Sequence, residues 1–312
     1  MARALRYVGG GRALEVLLLQ ASPLLGAAFG SGASALGLGG LVTLLLGSVL
    51  LTGHVFVFND WAGHRGDLND PRRAPHVFAH HGISSGTVAA LAVALLATAM
   101  VALVALGFTA VVLGAAIACL GFLYSDTEAA GKGVPIVASL IHLVGGALHF
   151  LLGYTVARAV DAHGLAIALF FGLVFAGGHL NQEVRDHDAD LRNGIRTTAV
   201  VFGPRRALLA SLVVFSAAHG QLALLAVLDV VPRPVLWAVA LIWPLHVLWT
   251  LIALRADPGI DQARWLQRRY RFLFAIVGVV MVFSLAVPSG SPRREAPGRD
   301  DRSPHALTSR TQ

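Results

Sequence analysis

Residues 54–73 read HVFVFNDWAGHRGDLNDPRR, and the way this stretch breaks decides what kind of chain it belongs to. An apolar run stops at Asn59-Asp60. Asp67 and Asp70 follow, and then Arg72 and Arg73. Charge is scarce elsewhere: hydrophobic residues make up 56% of the 312 and charged residues only 13%, with a mean hydropathy of +0.70. A soluble domain carries about 25% charged residues. The composition therefore predicts a polytopic membrane protein in which carboxylates and cations gather where a helix leaves the membrane.

A membrane-crossing helix needs about 20 mostly apolar residues. Windows of that length fall within 13–33, 35–58, 86–105, 107–125, 134–156, 163–180, 206–229, 234–254 and 271–287. The expected fold is thus an all-α integral membrane bundle of about nine transmembrane helices. Residues 1–287 form a single transmembrane domain, and the Pro-, Ser- and Gly-rich stretch 288–312 is expected to be a disordered tail. The N-terminal segment resembles a signal peptide, but Glu15 interrupts its apolar part, so retention is expected. Cys119 is the lone cysteine and lies in an apolar run, which excludes a disulfide framework and a cysteine-ligated metal. Cations are almost all arginine, and Lys132 is the single lysine. This bias suggests a GC-rich bacterial genome.

The net charge of +7 would suit nucleic acid in a soluble protein, but here it follows the loops. One side of the bundle receives Arg3, Arg6, Arg12, Arg65, Arg72, Arg73, Lys132, Arg185, Arg192, Arg196 and the arginines of 205–206 and 255–271. The short loops opposite hold Arg158 and Arg233. The positive-inside rule makes the first side cytoplasmic, so a multi-pass protein of a bacterial inner membrane is expected, with no nucleic-acid partner.

Two polar loops lie on that side, 59–85 after the second span and 181–205 after the sixth. The second includes NQEVRDHDADLRNGIRTT. Asp186 and Asp190 are four apart and share a helical face, with Gln182 a turn earlier. Carboxylates so placed repel unless a cation lies between them. Magnesium takes oxygen ligands and keeps positions open for substrate phosphate. In the first loop Asn59, Gly63 and Asp67 share a face, with Asp60 and His64 beside it. Arg72, Arg73, Arg192 and Arg196 offer planar donor forks suited to phosphate. Together these residues read as a site for magnesium and a diphosphate at the mouth of the bundle. The plainer reading makes them solvated loop residues, with Asn59 and Asp70 as turn or cap residues.

Asn59-Asp60, Asp67 and LNDPRRAP, with NQEVRDHDADLRNGIRTTAVVFG, resemble the two Asp-rich motifs of the UbiA superfamily of intramembrane prenyltransferases. The resemblance covers roughly residues 13 to 287. It implies a nine-helix bundle, an isoprenyl diphosphate and an apolar acceptor as substrates, and Mg2+ held by Asn59, Asp60, Asp67, Asp186 and Asp190. One departure stands out: the family's usual N-D-x-x-D-x-x-x-D has Gly63 at its middle acidic position here. The family's Tyr near the end of span four is matched by Tyr124, and its basic loop residue by Lys132. The Pro-rich piece between them is missing. Lys132 is either a diphosphate contact or a solvated surface residue.

Deeper in the bundle, His142 and His149 share a face of span five with Gly145, Gly146 and Gly153. Polar groups at membrane depth face the bundle interior or a cavity. Two readings stand: both histidines line the acceptor or isoprenoid pocket, or they are neutral rings hydrogen-bonded between helices. His54 and His179 precede the two motifs and are expected to shape the mouth. His76, His80 and His81 are expected at the interface, and Trp237, Trp243 and Trp249 in packing and interfacial positions. The expected reaction is Mg2+-dependent prenyl transfer to an aromatic or other apolar acceptor. Asp60, Asp67, Asp186 and Asp190 would be catalytic, and Arg72, Arg73, Lys132 and Arg196 would stabilise the leaving diphosphate. Two alternatives stand beside it, a terpene cyclase using the same site and a lipid-binding or transport protein. Acidic residues at one face argue against transport, whose sites lie near the midplane.

Overall fold

The computed structural model describes residues 13–31, 37–125, 131–256 and 258–286; Arg3, Arg6, Arg12 and the expected tail 288–312 lie outside them. The helices in chain order are α1 (Ala13–Leu19), α2 (Ala21–Ser31), α3 (Leu38–Leu68), α4 (Ser85–Val104), α5 (Phe108–Ser125), α6 (Val137–Tyr154), α7 (Ala162–Arg192), α8 (Thr198–Phe202), α9 (Pro204–Val227), α10 (Val235–Arg255) and α11 (Ile260–Ala286). Among the described residues, nine helical segments are long and apolar enough to cross a membrane, α1 and α2 together making the first. The protein is a multi-pass membrane protein. Its outward apolar residues, such as Phe108 and Trp237, which are 83% and 81% exposed, suit a surface bathed in lipid.

Four boundaries differ clearly from the sequence reading, each for a local reason. The first span breaks at Gln20 because Pro23 has no amide proton and its ring would collide with the carbonyl four residues back. The side chain of Gln20 turns onto the Val16 carbonyl at the break. Both polar loops begin as helix: α3 runs on to Leu68 and α7 to Arg192. Nothing in NDWAGHRGDLND stops a helix before Pro71, and Asp, His and Arg are comfortable in a turn that has reached water. The last helix starts at Ile260 rather than near 271, its first turns carrying the polar run DQARWLQRRYR past the apolar window.

α7 is the axis of the bundle and packs against α6, α9, α11 and α8. Its start is fixed by Asp161, whose Oδ1 accepts from the Gly164 amide at 2.8 Å and from the Tyr154 hydroxyl at 2.9 Å. Capping of this kind satisfies amides that the helix itself leaves unpaired. α2 meets α6 backbone to backbone. A Cβ at Gly153 would strike the Pro23 carbonyl, and one at Gly26 the Phe150 carbonyl. In lipid, where apolar surface gains little by leaving the solvent, such close approach is what holds helices together. Phe29, Phe150, Phe171, Phe170, Phe274 and Phe215 then form a run of ring contacts across the middle of the bundle.

Candidate active site at the polar mouth

α3 and α7 are each 31 residues long. At 1.5 Å per residue that is about 46 Å, well beyond the ~30 Å hydrocarbon layer, so their C-terminal turns stand clear of the apolar zone. Those turns carry the two motifs, and they touch: Asn193 Nδ2 donates to the Gly66 carbonyl at 3.0 Å, and Asn69 to Asn193 at 3.3 Å. The contact closes the bundle over a cavity of about 2340 Å³.

Asn59, Asp60, Gly63, Asp67, Arg72, Arg73, Lys132, Gln182, Asp186, Asp190 and Arg196 line its mouth, and Tyr124, His142 and His149 its wall. These residues thus face one space, whereas Arg192, which the sequence also offers for phosphate, does not line it and pairs with Asp70 instead. Below them the lining turns apolar, with Phe170, Phe171, Val174, Phe274 and Met281. A water-soluble head and a hydrocarbon tail would each find matching surroundings there.

One guanidinium joins the two motifs. Arg73 Nη2 lies 2.6 Å from Asp186 Oδ1, and its Nη1 is 3.0 Å from Asp67 Oδ1. Burial opposes the charge on Arg73, but Asp186 and Asp67 outweigh it and hold its pKa above the ordinary arginine value. Asp186 is also gripped by its neighbour Arg185, at 3.0 and 3.2 Å to its two oxygens. Lys132 Nζ reaches Asp190 Oδ1 at 3.1 Å. Burial would lower the Lys132 pKa, yet Tyr124, Asp190 and Asp186 together raise it, so this ammonium stays charged. Of the two readings of Lys132, the contact with the site is the one the geometry favours. Asn59 accepts from the Ser125 hydroxyl at 3.2 Å, which ties α3 to α5 at the mouth.

Several histidines fall differently from expectation. His64 turns away from the cavity, with Nδ1 2.6 Å from the Trp61 carbonyl and its ring against Phe78. His54 is buried against Phe58 with Nδ1 on the Ala92 carbonyl, a packing role rather than a part of the mouth. His76 and His81, expected at the interface, line the cavity. Both His142 and His149 line the cavity; His149 is also bonded between helices, to Ser48 Oγ at 2.9 Å, whereas His142 bonds within its own helix to the Ala138 carbonyl. Asp70 is a structural anchor, accepting from the Arg72 amide and pairing with Arg192 at 3.0 Å. Sequence reasoning gave no role to Arg185, Ser125, Ser139 or Glu183. Ser125 and Ser139 meet partners on other helices, while Arg185 and Glu183 also meet Asp186 and His179 on their own helix but owe their roles to Gln267 and the Ala199 amide beyond it.

Does this donor set fit a divalent cation? Among the described residues no three His, Cys, Asp or Glu side chains form a closed cage. Yet a single cationic group already touches a carboxylate from each motif, and Asp190 Oδ2 is buried without a hydrogen-bond partner. All-oxygen ligands in an incomplete shell are what magnesium takes when a substrate phosphate completes it. The residues fit.

Comparison with known proteins agrees with this fold. The UbiA homologue from Archaeoglobus fulgidus, solved with GPP and Mg2+, superposes with a TM-score of 0.68 at 19% identity, covering 91% of this chain and all of that one. The UbiA homologue from Aeropyrum pernix K1 gives 0.69 at 16%, covering 87% and 98%. A structure described as digeranylgeranylglyceryl phosphate synthase gives 0.69 at 16%, covering 92% and 100%. No curated protein sequence matches the chain. The model of the UbiA prenyltransferase family matches residues 21–287, most of the chain and both Asp-bearing helices, and the chain belongs to that family.

Proposed function

We propose that the protein transfers a prenyl group from an isoprenyl diphosphate to an apolar acceptor within the membrane, in a magnesium-dependent reaction. One observation carries this reading: carboxylates from two separate helices converge with Arg72, Arg73, Lys132 and Arg196 on the mouth of a deep cavity whose far end is apolar. The A. fulgidus homologue solved with GPP and Mg2+ supports the same substrate class.

Asn59, Asp60, Asp67, Asp186 and Asp190 would hold the metal. When bound, magnesium supplies Lewis-acid polarisation of the diphosphate oxygens. Lys132, Arg73, Arg72 and Arg196 present fixed positive charge where negative charge grows on the departing diphosphate. Preorganised charge of this kind is commonly the largest catalytic term. The apolar wall keeps water from the allylic carbon as its bond to oxygen weakens. The cation-rich mouth is proposed to face the cytoplasm, by the distribution of arginines.

The test is diphosphate release by membranes containing the protein, supplied with farnesyl or geranylgeranyl diphosphate and magnesium, with and without a lipid extract of the source cells. Release that depends on the extract and vanishes in Asp186→Asn supports prenyl transfer. Release without any acceptor replaces transfer with cyclisation or hydrolysis. Full activity in Asp186→Asn refutes the assignment of the site.

A further inference from the structure

Between the charged mouth and the apolar depth, one patch of the cavity wall is polar. Tyr124 from α5, Ser139 and His142 from α6, and His179 and Glu183 from α7 meet there. The Tyr124 hydroxyl lies 3.3 Å from His179 Nε2. His179 Nδ1 lies 3.3 Å from Ser139 Oγ and 3.5 Å from Glu183 Oε1. Glu183 is fixed from behind, its Oε2 accepting from the Ala199 amide at 3.1 Å, while Oε1 is buried with no hydrogen-bond partner of its own. The His142 ring stacks on His179 at 3.9 Å.

The orientation of this chain of groups follows from simple chemistry. A tyrosine hydroxyl donating to Nε2 leaves the neutral His179 ring with its proton on Nδ1, directed at Ser139 and Glu183. Tyr124 and His179 both line the cavity, whereas Glu183 does not. The order from the cavity outward is thus phenol, imidazole, carboxylate. His142 differs, since its Nδ1 donates to the Ala138 carbonyl and no carboxylate among the described residues is paired with it. A buried Glu and His at membrane depth are costly, and groups of this kind commonly mark functional sites.

Level matters as much as connectivity. His179 lies seven residues before Asp186 on the same helix, about 10 Å nearer the apolar end by the helical rise. With a diphosphate held at the carboxylates, the first carbons of its tail pass this patch. A nucleophile approaching that carbon would have Tyr124 beside it.

Resting on the prenyl-transfer reading, we propose that Tyr124, His179 and Glu183 form a proton relay that deprotonates a hydroxyl-bearing acceptor during transfer. The acceptor proton moves to the Tyr124 oxygen as the Tyr124 proton moves to His179 Nε2. The electron pair freed on the acceptor forms the new bond to C1 of the isoprenyl group, and the C1–oxygen bond breaks with its pair leaving on diphosphate. The net products are prenylated acceptor, diphosphate and one proton held on His179. The charge so formed on His179 is countered by Glu183, with Ser139 and the stacked His142 as its other close neighbours and Lys132 the nearest fixed cation above. The relay assigns the acceptor class: an apolar molecule with a transferable hydroxyl proton, either a phenol or a lipid alcohol. Tyr124 touches the acceptor and is catalytic in that sense, while Glu183 is a positioning residue.

The experiment uses full-length protein in lipid nanodiscs with radiolabelled geranylgeranyl diphosphate and magnesium, and 1-naphthol or 1-O-hexadecylglycerol as acceptor. Transfer and isoprenyl diphosphate binding are measured from pH 6 to 9 for wild type, His179→Ala, His179→Gln, Glu183→Gln and His142→Gln. The expected result is a loss of about 100-fold in turnover for both His179 variants at neutral pH, with donor binding within about threefold of wild type. With 1-naphthol their residual rate rises with pH as the phenol ionises unaided, and with either acceptor imidazole restores His179→Ala by at least tenfold on the scale of that loss. Glu183→Gln loses about tenfold in turnover and steepens the pH profile, and whatever turnover His142→Gln loses is the same across the pH range. The faster of the two acceptors identifies phenol or alcohol as the source of the hydroxyl.

His179 variants with near-wild-type turnover, or a loss that neither imidazole nor pH restores, overturn the relay. So does a pH-sensitive loss confined to His142→Gln. Wild-type diphosphate release that no hydroxyl acceptor accelerates overturns the relay while leaving diphosphate chemistry intact. Wild-type protein that binds no isoprenyl diphosphate overturns the functional reading beneath it.

Discussion

The two acidic motifs sit at the ends of two helices of equal length, yet they are built differently. On α7, Asp190 is 2% exposed and held by Lys132, while Asp186 is clasped by Arg185 and Arg73. Both carboxylates have their rotamers fixed before any substrate arrives. On α3, the side chain of Asp67 is 30% exposed and meets only one of the charged groups, Arg73. The position one turn earlier, Gly63, has no side chain, and a Cβ built there would find only Asp67 Oδ2, at 3.9 Å. One motif is a rigid socket and the other an adjustable rim. The difference puts the firmly held carboxylates on α7 and the more exposed one on α3.

That contrast orders the expected effects of substitution. Asp190→Asn should be the most damaging, removing about 10³-fold in turnover while leaving the protein folded in the membrane, as diphosphate release and a thermal stability assay would show side by side. Lys132→Met comes next. It leaves Asp190 buried without its cation and removes charge from the leaving group, for an expected loss of about 10²-fold. Because burial is overridden by its acidic surroundings, the wild-type ammonium does not titrate below the ordinary lysine range, so no alkaline fall in rate up to pH 9 should be traceable to it. Asp67→Asn should cost about tenfold, visible mostly as a higher magnesium requirement. An equal loss in Asp67→Asn and Asp190→Asn would erase the distinction between socket and rim.

The smallest effect is the most informative about the departure at Gly63. The cavity lies open before this position, so Gly63→Asp meets no steric obstacle. The new carboxylate would sit beside Asp67 and lower the magnesium concentration for half-maximal activity by about threefold. An increase instead would mean that repulsion between the two carboxylates outweighs the gain in cation affinity.

The sequence is a good guide to some of this and silent on the rest. Apolar windows locate the nine spans because a lipid environment demands them, and Asp186 and Asp190 announce a shared face through a four-residue spacing. The break at Gln20 was concealed by an apolar run that hydropathy reads as continuous, although Pro23 stood there as its physical cause. The start of α11 was missed because DQARWLQRRYR is amphipathic and polar on one side. His64 illustrates the opposite error: it is placed beside the acidic face by sequence, but its ring finds Phe78 and the Trp61 carbonyl instead. Arg73 is visible as a cation after the first motif, but its bridge to Asp186, more than a hundred residues away, is a property of the folded chain. The same holds for the contacts of Tyr124 and Ser139 with His179, although the four-residue step from His179 to Glu183 is visible in the sequence.

The length of α3 and α7 has one more consequence. Because both overshoot the hydrocarbon layer by about 16 Å, the charged mouth opens into water while the apolar depth of the same cavity lies in the bilayer. Under the proposed chemistry, the reactant enters as one amphiphile and departs as two species with opposite solubilities. Diphosphate dissolves away at the aqueous end, and the prenylated product stays in the lipid. The two products are thereby partitioned into separate phases at the moment they form, and recombination becomes a matter of dilution. The architecture would make the reaction directional in practice, with no need for a larger intrinsic driving force at the bond that breaks.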